Sequence, residues 1–208
     1  LIRDWPDLQV TDTQIKALIE YTRLQLDNPH HQSLTFSLIR SLISRQVVLL
    51  QLFELMATVR TVMLTSHQAG TRQQCRAVYI HFLTAYPMAT RKLEDELDFL
   101  LVNVRYEFPT GRQSCIEAMA CLHPKLPLEV IDGIAEAWFL ALAAQIAKET
   151  EAEVLQAILT TSHVLFNRLP PGKRKDNLEL LLIRWITASP KLSVQRAAWK
   201  LFTPLLSS

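Results

Sequence analysis

YPMATRKLEDELDFLLVNVRYEFPTGRQSC, residues 86–115, sets one helical stripe between two prolines. Leu93, Leu97, Leu100, Leu101 and Val104 recur at three- and four-residue intervals, the spacing of one face of an α-helix. Pro87 precedes the stripe and Pro109 follows it, positions where proline opens or stops a helix without interrupting it. The stretch predicts a helix over residues 90–106, a short polar break, and a second helix beginning near Thr110. The same grammar holds upstream. Leu34, Leu38 and Leu42 form one stripe; Leu52, Leu55, Met56, Val59 and Met63 form another; Val78, Phe82, Leu83 and Tyr86 form a third.

The prolines also carry a period. Tyr86-Pro87 and Leu126-Pro127 lie 40 residues apart, and Leu169-Pro170 follows 43 later. Each opens a long apolar stretch, predicting helices over residues 90–106, 128–148 and 173–188. Phe99-Leu100 and Phe139-Leu140 repeat the offset of 40. Second helices are expected to begin near Thr71, Thr110, Thr150 and Ser193, where a hydroxyl can accept from the free N–H groups of the first turn. Cys75 and Cys115 take equivalent places in two of them. A period of about 40 residues built from two antiparallel helices is the size of a HEAT or armadillo unit, whose pairs must stack to bury their apolar faces. The fold class expected is all-α, an α-solenoid of such pairs. Four to five pairs are counted, with residues 34–66 as one and residues 15–28 as a looser start. Leu201, Phe202, Leu205 and Leu206 give the end of the chain an apolar surface that another repeat would cover. Residues 1–208 are therefore expected to form a single repeat segment of a much longer solenoid.

Composition agrees with a helical, soluble, well-packed chain. The 208 residues are 49% hydrophobic and 20% charged, with 22 basic against 20 acidic side chains for a net charge of +2. That excludes a disordered chain, which needs low hydrophobicity and high net charge, and supplies no broad basic footprint for phosphates. Only four glycines argue against tight-turn β architectures and glycine-rich nucleotide loops. Three cysteines, an odd number, and the lack of an Asn-x-Ser/Thr sequon predict a reduced, intracellular protein. Residues 135–147, the longest apolar run, are too short for a bilayer and contain Glu136 and Gln145. No membrane partner is expected.

Reactive chemistry is sparse. His30, His31, His67, His81, His123 and His163 pair with no Cys, His or carboxylate at ligand spacing, so no metal site is expected. His30-His31, after Asn28-Pro29, reads as a helix-start turn, and His81 and His163 as partly buried packing residues. Cys115 and Cys121 stand about 240° apart on a helix and do not face each other; all three cysteines read as small buried gap-fillers. Glu94, Asp95, Glu96 and Asp98 follow Arg91-Lys92 early in a helix, where carboxylates suit the dipole, and read as a solvated face. Pro170-Pro171-Gly172-Lys173-Arg174-Lys175-Asp176 lacks the frame of a phosphate loop; it is either a solvated turn or a basic turn touching a phosphate backbone. No triad, nucleophile elbow or kinase set is present, so no catalytic residue, cofactor or small-molecule substrate is expected. Candidate contacts to RNA phosphates or acidic partner loops are Arg72, Arg76, Arg91, Lys92, Arg112, Lys173, Arg174 and Lys175; for Arg72, Arg76 and Arg112 an intramolecular ladder is the equal alternative.

Several strings are more specific than the repeat. Leu42-Ile43-Ser44-Arg45-Gln46-Val47-Val48-Leu49 leads into a long helix. Cys75-Arg76-Ala77-Val78-Tyr79-Ile80-His81-Phe82-Leu83 precedes Tyr86-Pro87. Leu97-Asp98-Phe99-Leu100-Leu101-Val102-Asn103-Val104 is followed by Tyr106-Glu107 and Gly111-Arg112-Gln113-Ser114. Together, over residues 39–122, they resemble the DRIM ("down-regulated in metastasis") family, very large HEAT-repeat proteins of the U3 small nucleolar ribonucleoprotein (U3 snoRNP). The resemblance implies a non-catalytic nucleolar scaffold of the small-subunit processome, supporting pre-rRNA processing and 40S subunit biogenesis. It implies contact with other processome proteins and, within the particle, with pre-18S rRNA and U3 snoRNA. The chain is a small fraction of the family's length and shows no Lys-rich tail. The alternatives are a HEAT adaptor of another assembly, such as a nuclear transport receptor or phosphatase scaffold, or the helical flank of a large enzyme.

Overall fold

The computed structural model describes residues 10–205 other than Asp27, Pro29 and Val47. Among the described residues there are helices and no strands. In chain order the helices are α1 (Asp12–Gln25), α2 (Gln32–Ser44), α3 (Leu50–Thr65), α4 (Ala69–Ala85), α5 (Thr90–Asn103), α6 (Pro109–Leu122), α7 (Leu128–Ile146), α8 (Ala152–Arg168), α9 (Pro171–Glu179) and α10 (Leu192–Leu205). A π-helical segment, Leu180–Thr187, continues α9. The chain divides into two units, one extending to Leu97 and the other beginning at Asp98.

In the first unit α1 packs on α2 and α3 on α4, while α1 also meets α3 and α2 meets α4. Turns of three to six residues join these helices, so sequence neighbours run antiparallel and alternate helices stack. The second unit repeats the arrangement: α7 packs on α8, α10 on the π segment, and the second helices α6, α8 and α10 follow one another in contact. The fold is an all-α stack of HEAT/armadillo-like pairs. The pairing differs from the expectation in one place. Residues 34–66 are not a pair, because α2 closes on α1 and the turn at residues 66–68 joins α3 to α4.

Periodicity finds most of the core. Leu52, Leu55, Met56, Val59 and Met63 of α3 and Val78, Phe82 and Leu83 of α4 are all buried. In the second unit Trp138 and Phe139 are fully enclosed. The register between α5 and α7 is 38 residues rather than 40: Leu97, Leu100 and Val104 match Ala135, Trp138 and Leu142 in burial, whereas Leu140 is only half-buried. Leu34 is 60% exposed, and the buried stripe of α2 is instead Phe36, Ile39, Leu42 and Ile43. Leu34 and Leu42 differ by eight positions, about 80° of drift on a helix, enough to carry Leu34 off the face. Leu201, Phe202 and Leu205 are the buried face of α10, not an apolar surface awaiting cover; Leu206 lies outside the described residues. Phe202 and Ala198 close on Ile186, with Leu178 and Trp185 against them. The wider π turn, marked by Ala188 N–H donating to the Ile183 carbonyl at 3.1 Å, brings Leu181 and Ile186 inward and leaves Ile183 exposed.

Hydroxyl caps prove nearly absent. Among the described residues only α1, the first helix, has one: Thr11 and Gln14 form a reciprocal capping box. Gln68, Phe108 and Glu151 occupy the N-cap positions of α4, α6 and α8 and make no side-chain cap. Thr71 lies inside α4, fully buried, and accepts from Gln32 Nε2. Thr110 and Ser193 likewise fall one residue inside α6 and α10 and not at their caps.

Candidate functional site

The turns are closed by a different device. Arg72 is the fourth residue of α4, and its Nη1 donates to the carbonyls of Ser66 and His67 at 2.8 and 3.0 Å. Arg112 is the fourth residue of α6, and its Nη1 donates to Tyr106 and Glu107 carbonyls at 3.0 and 2.9 Å. Arg174, fourth in α9, donates to Leu169 and Asn167 carbonyls, and Gln195, fourth in α10, to the Ser189 carbonyl at 2.9 Å. The carbonyls at a helix end lack intrahelical partners; here the next helix supplies the donor.

Arg112 does more than close a turn. Its Nε and Nη2 grip both Glu149 oxygens at 2.8 Å each, a bidentate fork with Glu149 fully enclosed. Glu149 also accepts from the Thr150 and Glu151 backbone N–H groups at 3.1 Å, so its carboxylate, and not the Thr150 hydroxyl, orders the turn that leads into α8. Burial pushes the Glu149 carboxyl up, but Arg112, the Glu151 N–H and Gln145 outweigh it and hold it below the ordinary 4.5. A depressed carboxyl stabilises the fold above its unfolded value and loses that contribution as pH falls through the folded one. Stability measured by urea titration is expected to decline below about pH 4.5 with a steeper slope than in the Glu149→Gln variant. Identical slopes would remove Glu149 from the acid sensitivity.

Glu96 forms the corresponding centre in the first unit. Of the acidic run, Glu94, Asp95 and Asp98 are exposed, as a solvated face requires, but Glu96 is only 5% exposed. Arg60 donates to its Oε2, Tyr79 Oη donates to the same atom at 2.9 Å, and Lys92 Nζ lies 3.4 Å from Oε1. Burial first, then the Glu96 charge, pushes the Tyr79 phenol well above its usual range. The Lys92 ammonium also stands 6.0 Å from the centre of the Phe53 ring.

Of three further bonds of the same reach, two join one pair to the next and the third, from Arg168 to Asp132, lies within the α7–α8 pair. Arg40 donates to Gln74, Arg168 to Asp132, and Lys173 pairs with Glu136 at 3.0 Å. Each spans about one repeat of sequence. Six of the eight candidate contact residues thus have intramolecular partners in view: Arg72, Lys92, Arg112, Lys173, Arg174 and Lys175, the last 3.8 Å from Glu179. Arg76 is half-buried on α4, and Arg91 is exposed in the first turn of α5. The candidates lie on four helices: Arg72 and Arg76 on α4, Arg91 and Lys92 on α5, Arg112 on α6, and Lys173, Arg174 and Lys175 on α9.

Cys75 and Cys115 are buried as expected; Cys121 is exposed, a correction to the gap-filling reading. Burial pushes the Cys115 thiol up to about 12. Iodoacetamide at about pH 8 is expected to label Cys121 in the folded protein and Cys115 only on unfolding, as read by peptide mass spectrometry. Rapid native labelling of Cys115 would contradict its burial. Among the described residues no group of three His, Cys, Asp or Glu side chains could hold a metal ion, and no helix is long and apolar enough to cross a membrane.

No family model matches the chain. Over its whole length it is similar to solved repeat structures, among them a designed armadillo repeat protein (15% identity, TM-score 0.45, 98% of this chain and 91% of that one). An engineered protein gives 14% identity and a TM-score of 0.42, covering 99% and 95%. Among curated proteins, U3 small nucleolar RNA-associated protein 20 of Schizosaccharomyces pombe is 27% identical over 196 residues, 94% of this chain. The Saccharomyces cerevisiae protein of the same name is 29% identical over 136 residues, 65% of this chain. The chain spans only 8% and 6% of those relatives' lengths. Agreement along nearly the whole chain with one and about two thirds of it with the other makes the chain similar to the U3 small nucleolar RNA-associated proteins of two yeasts, in keeping with the resemblance read from its sequence.

Proposed function

We propose that the chain is a non-catalytic scaffold segment of the small-subunit processome, acting in the nucleolus in pre-rRNA processing and 40S subunit biogenesis. The observation that carries the reading is the similarity to two relatives named for association with U3 small nucleolar RNA. The fold supports it in kind. Stacked helix pairs offer extended surface, and the buried polar groups described above brace turns and join neighbouring pairs. The same names favour this reading over a transport-receptor or phosphatase adaptor and over the flank of an enzyme. Processome proteins, U3 snoRNA and pre-18S rRNA are the partners proposed, and the segment is proposed to belong to a longer solenoid.

The test is ultraviolet crosslinking of the tagged full-length protein in cells, followed by sequencing of attached RNA. Enrichment of U3 RNA and the small-subunit precursor over background is the expected result. A protein that recovers no RNA would be better described as a protein-only adaptor.

A further inference from the structure

Residues 180–205 contain no Asp or Glu and four cations: Arg184, Lys191, Arg196 and Lys200. All four side chains are exposed, and none makes a hydrogen bond or ion pair among the described residues. This contrasts with the eight candidate contacts on α4, α5, α6 and α9, where at least six cations are occupied internally. Two of the four lie on α10 at i and i+4, Arg196 and Lys200, and the exposed Trp199 lies three positions after Arg196, on the same side of the helix, with Lys200 next to it in the chain. Trp199 is 49% exposed. Its indole is braced by the buried Phe202 ring, edge-to-face at 5.7 Å between centroids. A half-open aromatic held by a core ring, beside two exposed cations that have no ion-pair partner among the described residues, is a stacking platform with phosphate contacts at its edge.

Building on the processome reading, we propose that the Arg196-Trp199-Lys200 face of α10 binds single-stranded RNA: a base stacks on Trp199, and Arg196 and Lys200 neutralise the adjoining phosphates. Every base has a π-face and every linkage a phosphate, so the face selects unpaired strands and not a sequence. An acidic protein segment would satisfy the two cations and leave the indole without a role, which is why RNA is the occupant argued for here.

The test titrates the 208-residue chain with a fluorescein-labelled uridine 12-mer, following anisotropy at several salt concentrations. Binding that weakens about tenfold in Trp199→Ala is expected, since stacking on an aromatic side chain holds each base. Arg196→Gln and Lys200→Gln are each expected to reduce the log–log salt slope by roughly 0.7. Trp199→Phe keeps an aromatic face and is expected to retain most of the affinity, which separates stacking from loss of fold. The proposal is overturned if the Ala and Phe variants bind alike, if a duplex of the same charge binds as well as the single strand, or if a glutamate 12-mer competes equally. Failure here leaves the processome reading intact as long as the full-length protein still recovers U3 RNA in cells. Loss of that recovery would remove the reading while leaving the 12-mer result to stand.

Discussion

Arg112→Ala is expected to destabilise the second unit by about 3 kcal/mol or more, the range found when one partner of a buried ion pair is removed. Three losses coincide at that residue. Glu149 is left enclosed without its bidentate cation, and the carbonyls of Tyr106 and Glu107 lose their donor. The carboxylate that orders the turn before α8 also loses what holds it in place. Arg112→Lys keeps the charge but not the planar fork, and is expected to recover less than half of the loss. Arg112→Met combined with Glu149→Gln buries no charge and leaves an amide oxygen for the Thr150 and Glu151 N–H groups. It is expected to be more stable than Arg112→Ala alone, although it carries one more substitution. Thermal and urea unfolding of the three variants check this, and a cost under about 1 kcal/mol for Arg112→Ala would mean that the pair is structurally idle.

Glu96→Ala is the counterpart in the first unit, with an expected cost of about 3 kcal/mol. The side chain satisfies the Tyr79 hydroxyl, which is enclosed in the core, and two cations, Arg60 of α3 and Lys92 one turn back on its own helix. Its removal leaves the Tyr79 hydroxyl the longer bond to the Glu96 backbone carbonyl, at 3.2 Å, and leaves Arg60 half-enclosed without its carboxylate, each costly in a low-dielectric interior. Tyr79→Phe removes the hydroxyl alone and is expected to cost about 1 kcal/mol. Glu96→Gln preserves an acceptor for Tyr79 and is expected to fall between them. Urea midpoints that descend from Tyr79→Phe through Glu96→Gln to Glu96→Ala would establish the carboxylate as the centre of the group. Equal midpoints for Glu96→Gln and the parent protein would show that its charge contributes nothing.

The helices and most of their inward faces are legible in the chain because leucine spacing and proline position are local signals. The repeat length is legible for the same reason. Leu34 misleads because a four-residue stripe drifts off a 3.6-residue helix within two turns. The helix starts mislead for a different reason: the Thr residues near 71, 110 and 150 look like caps, but the turns are closed by arginines and Glu149. Glu96 is recognisable in principle. It stands three residues after Leu93 and four before Leu100, on the apolar phase of α5, while Glu94, Asp95 and Asp98 are out of phase. An acidic run hides that phase, since composition assigns all its members to solvent. The intramolecular capture of Arg72, Arg112 and Arg174 depends on where carbonyls point at the preceding helix end, which no spacing rule reports. The Trp199 face needs the opposite information, namely that an aromatic at a helical position is left half open.

The arginine and glutamine clasps at positions 72, 112, 174 and 195 reach back seven residues or fewer. Closing so short a loop takes little chain entropy, and folding rates rise when contacts are this local. On a ribosome, each corner can therefore set as soon as the first turn of the following helix has left the exit tunnel, before any later pair exists. The ion pairs spanning a whole repeat then latch pair onto pair in order of synthesis, so the segment can be built as it is translated, from its first helices onward.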